Sequence, residues 1–208
     1  MTTSPTIPSD ADLLKLMEAG DERAFATIYR RHQPQLYRFA LLMGGSAHVA
    51  EDVTQEVFMA LIRESHRYDR SRGPLSAYLY GIARNCVLRI LERERPYVPL
   101  AEEADGVKAA PPKQLIARDD PLSDCERHEV METVCRAVLS LPARYREVVV
   151  LCEFQELSHA EAAAVVGCAV GTVSSRVHRG HALLVEKLRS AGPDNSPSRG
   201  VRPVRCYA

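Results

Sequence analysis

Apolar positions recur at intervals of three and four along most of the 208-residue chain, the spacing of one helical face. Ser9 and Asp10 cap a first stretch with Leu13, Leu14, Leu16 and Met17, which stops at Gly20. A second starts at Asp21 and runs Phe25, Ile28, Tyr29, His32, Leu36, Phe39, Ala40 and Met43, with a kink expected at Pro34 and an end at Gly44-Gly45. Ser46 caps a third, in which Val49, Val53, Val57 and Leu61 recur every four residues and Glu51, Asp52, Gln55 and Glu56 fall on other faces. After a polar loop from His66 to Gly73, Pro74 opens a fourth with Leu75, Leu79, Ile82, Ala83, Cys86 and Ile90, which ends before Pro96.

Residues 96–124 break the pattern with five Pro and a run of acids, the composition of a linker. Beyond them Ser123 or Asp124 caps a helix with Val130, Val134, Ala137, Val138 and Leu141, and Pro142 opens another with Tyr145, Val148, Val149 and Cys152. Ser158-x-x-Glu161 is a capping box ahead of Ala162, Val165 and Val166. Gly167 and a short turn lead to a last helix with Val173, Val177, Leu184 and Leu188 inside and Ser174, Ser175, Arg176, His178 and Arg179 outside. That is the grammar of a helix-turn-helix. The expected fold is all-α, with two small helical domains at 10–95 and 125–190, the linker at 96–124 and a flexible tail at 191–208.

Composition agrees. Aromatics are 6% of the chain and Trp is absent, so a core must come from Leu, Val, Ile and Ala, which favours helices over a β-sandwich. No stretch approaches the roughly 20 apolar residues of a membrane span, and the start MTTSPTIPSD lacks the basic and apolar segments of a signal peptide. A cytoplasmic location without membrane insertion is expected. The six Cys (86, 125, 135, 152, 168 and 206) form no C-x-x-C pair and read as small buried hydrophobes. Cys125-x-x-His128 is half a zinc site with no second pair, so neither metal nor cofactor is expected.

The net charge of zero hides two basic islands, +4 over residues 67–95 and +3 over 169–190, the latter followed by +2 over 191–208, with each remaining segment at −3. Neutrality overall therefore leaves room for an anionic partner. In the second island Thr172, Ser174, Ser175 and Arg176 begin the second helix of the helix-turn-helix, where base edges are read, and Arg179 follows; an ordinary solvated face is the alternative. In the first, Tyr68, Tyr78 and Tyr80 alternate with Arg67, Arg70, Arg72, Arg84 and Arg89, as stacking on unpaired bases beside a phosphate chain requires. Core packing explains Tyr78 and Tyr80 equally well, since they flank Leu79. Asp52, Gln55 and Glu56 suit either a docking face for a basic partner or plain solvation. No Gly-rich phosphate loop, G-x-S-x-G or H-E-x-x-H occurs, so an enzyme is not expected.

Three segments in order, AEDVTQEVFMAL (50–61), GPLSAYLYGIARN (73–85) and LPARYREVVVLCEFQELSHAEAAAVVGCAVGTVSSRVHRG (141–180), resemble the extracytoplasmic-function (ECF) sigma factors of bacterial RNA polymerase. The resemblance implies that 10–95 is sigma region 2 and 125–190 sigma region 4. It places Asp52, Gln55 and Glu56 on the β′ clamp helices of core polymerase. It gives Arg67, Tyr68, Arg70, Arg72, Tyr78, Tyr80, Arg84, Asn85 and Arg89 to the melted minus-ten element. Ser158, Thr172, Ser174, Ser175, Arg176 and Arg179 fall to the minus-thirty-five duplex, with the β flap and an anti-sigma factor as further partners.

The chain departs from the family pattern in places. Tyr78 stands where Trp is frequent, Ser174 and His181 replace a usual Lys and Arg, and Gly180 replaces a helix-favouring Ala at a cost of about 1 kcal/mol if exposed. Fewer cations predict a weaker grip on duplex. Promoter elements about 25 base pairs apart lie roughly 85 Å apart at about 3.4 Å per pair. The 29 linker residues reach about 100 Å at most. Two rivals remain: a repressor or activator that uses the helix-turn-helix without polymerase, and a thiol or metal sensor built on Cys125, Cys135 and Cys168.

Overall fold

Every element among the described residues is helical. The computed structural model describes residues 8–94 and 123–191, so nearly all of the expected linker and the tail after residue 191 lie outside the described residues. A first unit is made by α1 (Asp10–Glu18), α2 (Glu22–Gly44), α3 (Ala47–Glu64) and α4 (Leu75–Glu94). Ser9 and Asp21 cap α1 and α2 with side-chain oxygens that accept from free backbone N–H groups. Ser46 makes no such side-chain bond; its carbonyl enters α3 by accepting from the Ala50 N–H at 3.0 Å. Pro34 lies on the exposed face of α2, and the helix runs through it. Asp10 pins α1 to α2, accepting from Arg31 and lying 2.9 Å from Nε2 of the buried His32. Leu16, expected inside, is exposed, because two positions past the buried Leu14 a helix has turned away.

The second unit is α5 (Ser123–Leu139), α6 (Ala143–Val149) running into a π turn over Val150–Phe154, α7 (His159–Val166) and α8 (Val170–Ala191). Helix α5 therefore begins where the linker was expected to end, and α8 packs against α5, α6 and α7. Gly167 closes α7 with φ 76°, a left-handed turn open to glycine without strain, and three residues later α8 begins. Val130 and Leu188, expected inside, are exposed.

Gly180 reverses its expectation. It is buried, and a Cβ there would stand 2.5 Å from Val149 Cγ2 and 3.7 Å from Tyr145 Cβ, so its bare backbone lets α8 approach α6.

Phe39, Ala40, Leu41, Leu42 and Met43 are consecutive and all buried. A helix buried on every side must be surrounded. Around α2 this is done by α3 and α4 of the first unit and by α5, α6 and the π turn of the second, while α4 also meets α7. The two units thus share one apolar cluster.

Candidate nucleic-acid interface

The loop after α3 folds as two 3-10 turns, Ser65–Arg67 and Arg70–Arg72. Asp69 accepts from the Ser71 N–H at 2.9 Å and from its hydroxyl at 2.7 Å, bonds that hold its carboxyl below the usual range. Gly73 has φ 141°, and its carbonyl accepts from the Tyr68 hydroxyl at 3.1 Å. Locked this way, Tyr68 sets its ring 5.6 Å from that of Tyr78 on α4. Burial pushes both phenols up, further from ionisation. The two rings line a cleft of about 340 Å³ with Arg67, Arg72, Pro74, Gly81, Ile82 and Asn85, closed on one side by Ala164 and Val165 of α7. Arg70 and Arg89 are exposed nearby.

Two residues expected in this set lie elsewhere. Tyr80 is 2% exposed, meets Phe39 edge-on at 5.3 Å and donates its hydroxyl to Gln155 Oε1 at 2.8 Å, because two positions from Tyr78 a helix presents nearly its opposite side. A buried ring cannot stack on a base. Arg84 donates from Nε to Glu147 Oε2 of α6 at 2.8 Å and is turned away from the cleft.

On the helix-turn-helix, Ser174, Ser175 and Arg179 are exposed along α8 and Thr172 is half-buried. The Ser175 hydroxyl donates back to the Thr172 carbonyl at 2.9 Å. Ser158 is bound up in its capping box: its hydroxyl bonds Glu161 Oε2 at 2.7 Å while its oxygen accepts from the Glu161 N–H at 3.2 Å. Arg176 was expected on the outside. Its Nη1 instead lies 3.4 Å from Glu147 Oε1, so the carboxylate that holds Arg84 holds Arg176 as well. His181 faces Glu153 at 3.3 Å.

Of the acidic set on α3, Asp52 and Gln55 are exposed, and Glu56 is half-buried and receives Arg63 at 3.2 Å. Beside them lies an apolar groove between α2 and α3 that helical spacing does not reveal, in which the Tyr29 ring lies 4.6 Å from that of Phe58, tilted by 45°, and which is lined also by Phe25, Tyr37, Met59 and Ile62. Exposure of Tyr29, Met59 and Ile62 is the signal, and periodicity alone had assigned Tyr29 to the core.

Burial pushes the Cys135 thiol up, and the Cys152 thiol is pushed up to about 11, the opposite of an activated thiolate. No group of three or more His, Cys, Asp and Glu among the described residues is placed to hold a metal, and the side chains of Cys125 and His128 lie outside the described residues. No described helix is long and apolar enough to cross a membrane.

A helical unit carrying a Tyr-Arg cleft, followed by a helix-turn-helix unit, has the make-up of a sigma-type transcription factor. Residues 28–96 match Sigma-70 region 2, and residues 132–184 match Sigma-70, region 4. The ECF RNA polymerase sigma factor SigW of Bacillus subtilis is 32% identical over 178 residues, 85% of this chain and 95% of that protein. SigM of Mycobacterium tuberculosis is 35% identical over 185 residues, 86% of this chain and 85% of its own. Among solved structures, CnrH in complex with the cytosolic domain of CnrY superposes with a TM-score of 0.66 at 27% identity, covering 89% of this chain and all of that one. The chain belongs to the ECF RNA polymerase sigma factors.

Proposed function

We propose that this chain directs core RNA polymerase to particular promoters and starts transcription there, with each unit taking one promoter element. The observation that carries the reading is the cleft: two neutral rings side by side, rimmed by Arg67 and Arg72, suit unpaired bases and their phosphates. Arg70, Asn85 and Arg89 extend that surface along the strand. Thr172, Ser174, Ser175, Arg176 and Arg179 face the minus-thirty-five duplex, and the acidic rim of Asp52, Gln55 and Glu56 with the groove beside it receives the β′ clamp helices. The exposed Val130 and Leu188 leave apolar surface on the second unit for the β flap. The chain catalyses no reaction of its own and works in the cytoplasm, where the polymerase is. Control by an anti-sigma factor belongs to the same reading, supported by the solved structure of CnrH with a bound domain of another protein.

A run-off assay with core polymerase and the DNA upstream of the chain's own gene tests this. A discrete transcript that requires both chain and core is expected, together with weak duplex binding by the chain alone. Tight, sequence-specific duplex binding without core would transfer the helix-turn-helix to a repressor, a reading that leaves the cleft and the groove unused.

A further inference from the structure

Glu147 is 5% exposed, and a carboxylate so buried is costly unless it is paired. Its two oxygens hold two arginines from different places in the chain: Arg84 of α4 at 2.8 Å and Arg176 of α8 at 3.4 Å. The family resemblance gives Arg84 to the minus-ten strand, and the functional reading above, on which this inference rests, gives Arg176 to the minus-thirty-five duplex. We propose that Glu147 is an internal latch that stands in for DNA phosphate, tying the two DNA-reading arginines to one acid and holding the chain closed until a partner separates its units.

The surroundings fit a latch rather than a stray ion pair. Tyr80 and Gln155 bond across the same seam at 2.8 Å, and Arg146 of α6 reaches the Met43 carbonyl at the end of α2, also at 2.8 Å. Ala164 and Val165 of α7 wall the cleft that is to receive the unpaired strand. A chain that spans two promoter elements must part this seam, since the elements lie roughly 85 Å apart at about 3.4 Å per base pair. Closure and DNA then compete for the same guanidinium groups, so each weakens the other by the same factor. Where the open form is populated at about one part in ten, closure lowers apparent DNA affinity about tenfold.

The test uses the full chain with Glu147→Gln, which keeps shape and removes charge. Small-angle X-ray scattering reads the separation of the units, and fluorescence anisotropy reads binding to a single-stranded oligonucleotide carrying the promoter's minus-ten sequence, found by run-off with wild type. The latch predicts a larger radius of gyration and about tenfold tighter binding. An unchanged radius with unchanged affinity overturns it, as does opening without any gain in affinity. If circular dichroism shows that E147Q has lost its helices, Gln155→Ala, which frees the Tyr80 hydroxyl and touches neither arginine, takes its place with a smaller shift in the same directions. Absence of a wild-type run-off product would instead strike the sigma reading, and the scattering comparison would still decide whether Glu147 holds the units together.

Discussion

The two helical units are held together by different means. The first has helices of 23, 18 and 20 residues around large side chains such as Ile28, Phe39, Leu61, Leu79 and Tyr80, with its groove between α2 and α3 and its cleft against α7 of the second unit. The second includes helices of only 7 and 8 residues, too short to persist without tertiary support, around a core of mainly Val, Leu and Ala. It relies on the Ser158–Glu161 box, the bare Gly180 contact, and the half-buried Arg146, which donates to the Leu139 and Leu141 carbonyls at and just after the end of α5. In the first unit, Asp52 and Gln55 of the acidic face are exposed, clear of the core. In the second, Arg176 belongs to the framework through Glu147 and to the recognition helix as well.

The sharpest consequence concerns the separable unit. Replacing Asp52 and Glu56 with Arg puts like charge against a basic partner, which costs several kcal/mol, so retention of core polymerase in a pull-down should fall by roughly 100-fold or more. Both carboxylates are at least part-exposed, so the melting temperature should hardly move. Wild-type retention of core by the double variant would remove this face from the interface.

Within the core of the same unit, Phe39→Ala leaves a hole beside Tyr80 and should cost about 3–5 kcal/mol in denaturant unfolding. Because the end of α2 is covered by both units, their unfolding should shift together. A loss confined to α1–α4, seen by hydrogen exchange, would show that the shared cluster does not couple them.

The helices and the helix-turn-helix were legible because they are written locally, in apolar spacing, in Ser9, Asp21 and Ser158 as caps and in Gly167 as a stop. The side on which a residue lies was less legible. Tyr78 and Tyr80 carry the same chemistry two positions apart, and only the arrival of Phe39 and Gln155 decides that the second is buried. Glu147 was invisible, since its partners stand 63 and 29 residues away and nothing near it in the sequence marks a shared carboxylate. Gly180 read as a weak point in a helix until Val149 appeared opposite it.

That glycine supplies a third, smaller effect. Alanine is the better helix former by about 1 kcal/mol, yet its methyl group would have to displace a β-branched side chain locked in α6. Overpacking of this kind costs about 1–3 kcal/mol, so Gly180→Ala should be net destabilising in chemical denaturation, by up to about 2 kcal/mol. A stabilised variant would mean that α6 yields easily and that the second unit is less tightly framed than the contact implies.

The smallest effect separates the two arginines of α8. Arg179 is exposed, three residues beyond Arg176, and can reach a phosphate without leaving any framework contact. Arg179→Ala should therefore weaken holoenzyme binding to all minus-thirty-five variants alike, flatten the salt dependence by about one ion, and leave the melting temperature unchanged. Arg176→Ala should differ on both counts. It relaxes discrimination at one base position, worth about 1–3 kcal/mol if the contact is bidentate, and it lowers the melting temperature, because Glu147 loses one of its two partners. Measuring both variants for promoter ranking, salt slope and melting decides the matter. If Arg176→Ala melts like wild type and changes only the salt slope, framework and reader are as separable in the second unit as in the first.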